Sequence, residues 1–363
     1  MMKTVLILNS ILIILFLSPI VLNAQETADE LFGSVSNEEP SHAYYVLGDK
    51  SRSPLDLVRI SDDPLRYQHS FRFQPRWTGK QVLVRICGIN TPFHLKINGF
   101  NYGLGDGRGI PLEFNITPFL KQEMNVIELN FDQTANDHPD DPIDLSALII
   151  REPVHVRDLE VTSYSRPENP ETIVRVHLYI QSFLTGQNMG RTLSVIISDP
   201  DGDTISTHEK TINFPLAFRQ EVELTIDQNI DNPRLWSPDH PELYNLQVHM
   251  VEKDKTEGEL VSVTFGIRSA TFEDSILVIN QDTIAPVIAP EAIFNHINDL
   301  SDEEILNRFK EMNSNVIQSN GYLPARVMDL FDRYGIVVLK KQEEYDPEKD
   351  RPDINRPSIV WIK

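Results

Sequence analysis

One cysteine in 363 residues excludes an intrachain disulfide, so the fold rests on packed cores. That residue, Cys87, sits within an apolar stretch and reads as a buried small hydrophobe. Basic residues are also scarce, 33 Lys and Arg against 54 Asp and Glu, for a net charge of −21. Such a surface repels phosphate backbones and anionic lipid, which excludes nucleic acid and acidic membranes as partners. The ten histidines are scattered without the i, i+4 spacing of a zinc motif, and no Gly-rich phosphate loop leads into a helix. Neither a metal nor another cofactor is expected. After the first two dozen residues, long apolar runs are missing as well.

Those first residues are set apart. Lys3 is their only charge, apolar residues dominate 5–21, and Ala24 is a small residue suited to cleavage. Residues 1–24 read as a secretory signal, which implies a periplasmic or secreted protein. Residues 25–42 form a polar, acidic leader.

From 43 to 152 the pattern is β. Phe93, Leu95 and Ile97 alternate with His94 and Lys96, and Leu112, Phe114 and Ile116 alternate again, as on half-buried strands. Asn98-Gly99 supplies a hairpin turn, since both residues tolerate positive φ. A second β segment, 153–268, has strands expected near 172–180, 193–198, 221–226, 244–251 and 261–266. Its Asp199-Pro200-Asp201-Gly202-Asp203 has the acidic spacing of a calcium loop without the late Glu, and a turn accounts for it. From Ser269 the pattern turns to alternating strand and helix. Ser301 and Glu304 form a capping box, Val327, Leu330, Phe331 and Tyr334 share a helix face that Gly335 ends, and 336–339 is a buried strand.

Several motifs carry a family resemblance. Trp77-Thr78-Gly79-Lys80, Ile97-Asn98-Gly99 and the 111–117 stretch occur in the order of a sugar-binding jelly roll. Leu235-Trp236-Ser237-Pro238, followed by Pro241 and Tyr244, is the most specific: Trp236 and Tyr244 are large anchors, and the prolines fix an extended path between sheets. Phe265-Gly266-Ile267-Arg268 and the closing Asn355-Arg356-Pro357-Ser358-Ile359 complete the set. Together they resemble family-two glycoside hydrolases, the β-galactosidase and β-glucuronidase group. The resemblance implies a mainly β protein with a C-terminal α/β part: a jelly-roll sandwich (43–152), an immunoglobulin-like sandwich (153–268) and an incomplete (β/α) barrel (269–363).

It also implies a β-linked oligo- or polysaccharide as ligand. The family's two catalytic Glu positions would lie beyond Lys363, so no catalytic residue is assigned and hydrolysis by these residues alone is not expected. Candidate sugar contacts are Trp77, Tyr102 and Arg108 in the jelly roll, and Gln318, Asn320 and Tyr322 after the second barrel strand. Core or rim packing is the competing role for the jelly-roll aromatics. Lys340-Lys341 stand where the family carries an acidic pair. A non-catalytic carbohydrate-binding protein, and the N-terminal part of a split glycosidase completed by a second chain, stay open as alternatives. An incomplete barrel leaves strand edges unpaired, so the C-terminal part is expected to be the weakest.

Overall fold

The computed structural model describes residues 46–47, 52–55, 57–59, 65–86, 89, 91–105, 112–131, 146–165, 171–184, 190–213, 220–290, 300–319, 323, 325–341 and 355–362. The expected signal and leader, Cys87, Arg108, Asn320 and Tyr322 lie outside them.

The first strand, β1 (Val46–Leu47), is followed by β2 (Arg52–Pro54), β3 (Val58–Arg59), β4 (Arg66–Arg72), β5 (Gln81–Ile86), β6 (Phe93–Ile97), β7 (Phe100–Gly105), β8 (Leu112–Asn115), β9 (Met124–Phe131) and β10 (Ala147–Arg151). Strands β2 to β10 form two antiparallel sheets, ordered β3-β4-β9-β6-β7 and β2-β10-β5-β8. Period-two alternation sends Val82, Val84, Leu95, Ile97, Phe114, Ile127 and Leu129 into the core between them. Asn98 and Gly99 take φ of 52° and 86°, the paired positive values that a tight hairpin between β6 and β7 requires.

The second sandwich comprises β11 (Val154–Ser165), β12 (Glu171–Ser182), β13 (Arg191–Ser198), β14 (Thr204–Ile212), β15 (Gln220–Asp231), β16 (Tyr244–Glu252) and β17 (Gly258–Phe265). Its sheets are ordered β1-β17-β16-β13-β14 and β11-β12-β15, with Val176, Leu178, Val195, Leu246, Val248 and Val261 packed between them. Strand β1 lies apart from the first sandwich. Val46 and Leu47, the first described residues, pair with Ser262 and Val261 on the edge of the second sandwich. The 199–203 segment is a turn: Asp199 accepts from the amides of Asp201 and Asp203, and Gly202 takes φ of 93°. Arg234 lies 3.0 Å from Asp201 and 3.6 Å from Asp199, so a guanidinium already stands against these carboxylates.

Alternation of strand and helix begins later than Ser269. Strands β18 (Ala270–Glu273), β19 (Ile276–Ile279) and β20 (Asp282–Ile284) form a small antiparallel sheet. Its two-residue turns, Asp274-Ser275 and Asn280-Gln281, all have positive φ, reached by short polar side chains in place of glycine. After these come β21 (Ile288–Ala289), α1 (Asp302–Glu311), β22 (Val316–Gln318), α2 (Ala325–Tyr334), β23 (Val337–Lys341) and β24 (Ile359–Ile362). The four strands form a parallel sheet in chain order. Ser301 caps α1 and Glu304 returns the bond to the Ser301 amide, completing the expected capping box. Gly335 ends α2 at φ of 70°, and a Cβ there would stand 2.1 Å from the Pro238 carbonyl oxygen.

Candidate functional site at the ends of the parallel strands

The parallel sheet has two different faces. Ile317, Val338 and Ile359 turn to the helices, packing with Ile305, Phe309, Val327 and Phe331. Val316, Val337, Leu339 and Val360 turn the other way, onto Trp236, Leu277 and Ile279. The small antiparallel sheet and the second sandwich's tryptophan therefore seal this inner face. Trp236 is fully buried, and it anchors against the small antiparallel sheet and the parallel sheet. The signature motif faces the next unit, while Tyr244 belongs to the sandwich core and accepts from the Arg234 amide at 2.8 Å.

Among the described residues, the polar side chains of the inner face stand at the C-terminal ends of the strands. Register assigns each side chain to a face. Gln318 pairs with Leu339, Leu339 with Val360, and Lys341 with Ile362, so Gln318, Lys341 and Ile362 crown the inner face. All three are partly exposed. Lys340, paired with Trp361, lies on the helix side. Only 3% exposed, it sets its ammonium 5.9 Å from the Trp361 ring centre. The lysine pair expected to reverse the charge of one pocket is thus divided between two faces. Gln318 brings an amide and Lys341 an ammonium to this end of the sheet. The described strand-end residues Gln318, Ser319, Lys340, Lys341, Trp361 and Ile362 include no carboxyl side chain.

The last strand is positioned from beneath. Asp332 on α2 accepts from the Ser358 amide (3.1 Å), the Ser358 hydroxyl (2.6 Å) and the Arg356 guanidinium (2.7 Å), while its backbone carbonyl accepts from Trp236 Nε1 (2.8 Å). Asp329, half exposed, also binds Arg356. Arg268, just past β17, donates to the carbonyls of Pro357 and Ile359 and lies 6.0 Å from the Trp236 ring centre. Burial pulls its guanidinium down to about 10, partly offset by Asp332. Asn355 accepts from the Val161 amide at 2.6 Å and donates to the Leu159 carbonyl at 3.0 Å. None of these pairings is readable from local sequence; the spacing of Arg356 and Ser358 is the one signal, placing both beside one carboxylate.

The first sandwich offers less to a ligand. Trp77 is 3% exposed, with Phe71 and Phe73 ring centres at 6.1 and 5.7 Å. Tyr102 donates to the Asn115 carbonyl at 3.1 Å and packs edge-on against Phe114. Trp77 packs into the first sandwich's core from a short 3-10 turn, Pro75–Trp77, and Tyr102 packs against that core from β7. They share the first sandwich's core, whereas Gln318 stands in the parallel sheet. Among the described residues no group of three or more His, Cys, Asp or Glu is gathered to hold a metal. No described helix is long and apolar enough to cross a membrane.

Residues 154–268 match the family model for glycosyl hydrolases family 2. The β-galactosidase large subunit of Leuconostoc lactis is 24% identical over 247 residues, covering 65% of this chain and 37% of that protein. A β-galactosidase of Vibrio cholerae is 22% identical over 294 residues, covering 75% and 28%. The chain thus spans about a third of the length of these curated relatives. A solved Bacteroides uniformis β-glucuronidase 2, covalently bound to cyclophellitol-6-carboxylate aziridine, superposes with a TM-score of 0.69 at 20% identity, covering 82% of this chain and 40% of that one. A β-galactosidase structure from Bacteroides fragilis, itself titled putative, gives 0.67 at 17% identity, with 82% and 50% covered. Both solved structures share the fold, and residues 154–268 carry the sequence match to glycosyl hydrolases family 2.

Proposed function

We propose that these residues form the scaffold of a β-glycosidase that acts on β-linked oligo- or polysaccharide, with its sugar site at the C-terminal ends of the parallel strands. The first sandwich is then a jelly roll, the second an immunoglobulin-like domain, and the sheet the opening of a (β/α) barrel. One observation carries this: among the described residues Trp236, Leu277 and Ile279 cover the apolar positions of the inner face, and partly exposed Gln318 and Lys341 stand at the C-terminal ends of the strands. Barrel enzymes place their chemistry at that end. Retaining hydrolysis needs two carboxyls about 5–5.5 Å apart, which would come from residues other than those described here.

The test is turnover of aryl β-galactoside, β-glucuronide and β-mannoside by the purified 363-residue polypeptide. Rates equal to those with an unrelated control protein are expected. Turnover well above that control, abolished by Glu343→Gln or Glu344→Gln, would overturn the proposal.

A second reading, that another chain supplies the carboxyls, is favoured by the relative named as a large subunit. Turnover that appears only on mixing with such a chain supports it. Export to the periplasm or medium is part of the proposal and rests on the pattern of residues 1–24. A mature N-terminus at Gln25, read by mass spectrometry, is expected; Met1 retained in a membrane fraction would contradict it.

A further inference from the structure

We infer that the second sandwich and the parallel sheet are latched into one folding unit through Asp332, so that residues 355–362 are held by the sandwich as firmly as by their own sheet. Strand β24 pairs with β23 alone in the described sheet, and an edge strand of four residues frays when nothing else holds it. Here the segment leading into it is gripped from three separate places on the sandwich. Asn355 inserts its amide between the Leu159 carbonyl and the Val161 amide of β11. Arg268 fixes the carbonyls of Pro357 and Ile359. Trp236 reaches Asp332, whose carboxylate takes both the amide and the hydroxyl of Ser358 together with Arg356.

Close backbone approach reinforces the grip. A Cβ on Gly266 would fall 2.6 Å from Pro357 Cβ and 2.8 Å from Trp236 Cβ, so this junction admits no side chain there. Among the described residues Asp332 joins these parts: its backbone carbonyl takes the sandwich's Trp236, and its carboxylate takes Arg356 and Ser358. With 1% of its surface exposed, it cannot exchange these partners for water without opening the junction.

Native-state hydrogen exchange on the intact polypeptide tests this. In the wild type, peptides covering 337–341 and 359–362 should open with those covering 154–165 and 244–265, within about threefold. In Asp332→Asn the sheet peptides should exchange at least about tenfold faster than the sandwich peptides, the loss expected when charge-assisted bonds are removed from a buried site. Asp329→Asn, at the half-exposed partner of the same arginine, should leave the two in step. If Asp332→Asn does not fold, Trp236→Phe, which deletes the Nε1 donor, replaces it with the same expected separation. A wild-type sheet that already opens tenfold faster than the sandwich would overturn the latch. So would variants in which sheet and sandwich shift together by one factor.

Discussion

The two junctions of this molecule solve one problem differently. Between the sandwiches, among the described residues, a buried ion pair crosses: Arg151 Nε lies 2.7 Å from Glu259, Glu259 accepts from the Val156 amide at 2.7 Å, and Arg151 donates to the Val156 carbonyl. Between the second sandwich and the parallel sheet, a buried indole and several side-chain-to-backbone bonds share the work around Asp332. A lone buried ion pair is costly to desolvate and fails wholly when one member is lost, whereas a distributed net loses one strand at a time. The first junction specifies an orientation; the second also carries apolar packing, because Trp236 is both its donor and part of the core beneath the sheet.

Removing the centre of the richer junction should have the largest effect. Trp236→Ala should destabilise the protein by about 3–5 kcal/mol, the range for an aromatic lost from a core, measured as a shift in the urea midpoint. Glu259→Gln should cost about 3 kcal/mol by leaving Arg151 buried without its counter-charge. The pair replaced together, Arg151→Met with Glu259→Leu, should lie much closer to wild type. Equal losses in the single and double variants would show that the pair does not act as a unit.

Acid should separate the junctions further. His155 is buried beside Arg151 and stacked on Phe183, and burial, with Arg151 adding to it, pulls its pKa down to about 3. Its unfolded form protonates near 6.5 while the folded form stays neutral, so stability falls as pH drops from 6.5 towards 3, by no more than about 5 kcal/mol. Glu259, which burial holds above the ordinary carboxylate range, works in the opposite direction. His155→Gln should flatten the midpoint-versus-pH curve below 6.5. A curve unchanged by this variant would remove His155 from the account. The smallest effect should come from Ser301→Ala, about 1 kcal/mol for a lost helix cap, seen as faster exchange in α1 alone.

Features fixed by neighbours in sequence were legible beforehand. The Ser301–Glu304 box, the Asn98-Gly99 turn and Gly335 at the end of α2 each depend on residues within one turn. Features fixed by distant partners were not. Leu235-Trp236-Ser237-Pro238 named a family, but nothing local says that its indole meets a carbonyl 96 residues away. The turns at Asp274 and Asn280 lack the glycine that usually advertises a hairpin, which hid the small sheet sealing the strand floor. Of the candidate site, Gln318 was legible as a strand-end residue. The different fates of Lys340 and Lys341 needed the register with β24, since a strand apolar at most positions does not reveal its faces.

The central claim is that sugar belongs at the ends of the parallel strands and not in the first sandwich. Hydrogen exchange of the intact polypeptide, with and without a high-millimolar methyl β-galactoside or methyl β-glucuronide, tests it directly. Slowed exchange confined to peptides covering Gln318–Ser319, Leu339–Lys341 and Trp361–Ile362 is expected. Protection of first-sandwich peptides around Trp77 or Tyr102, or no change anywhere, would contradict it.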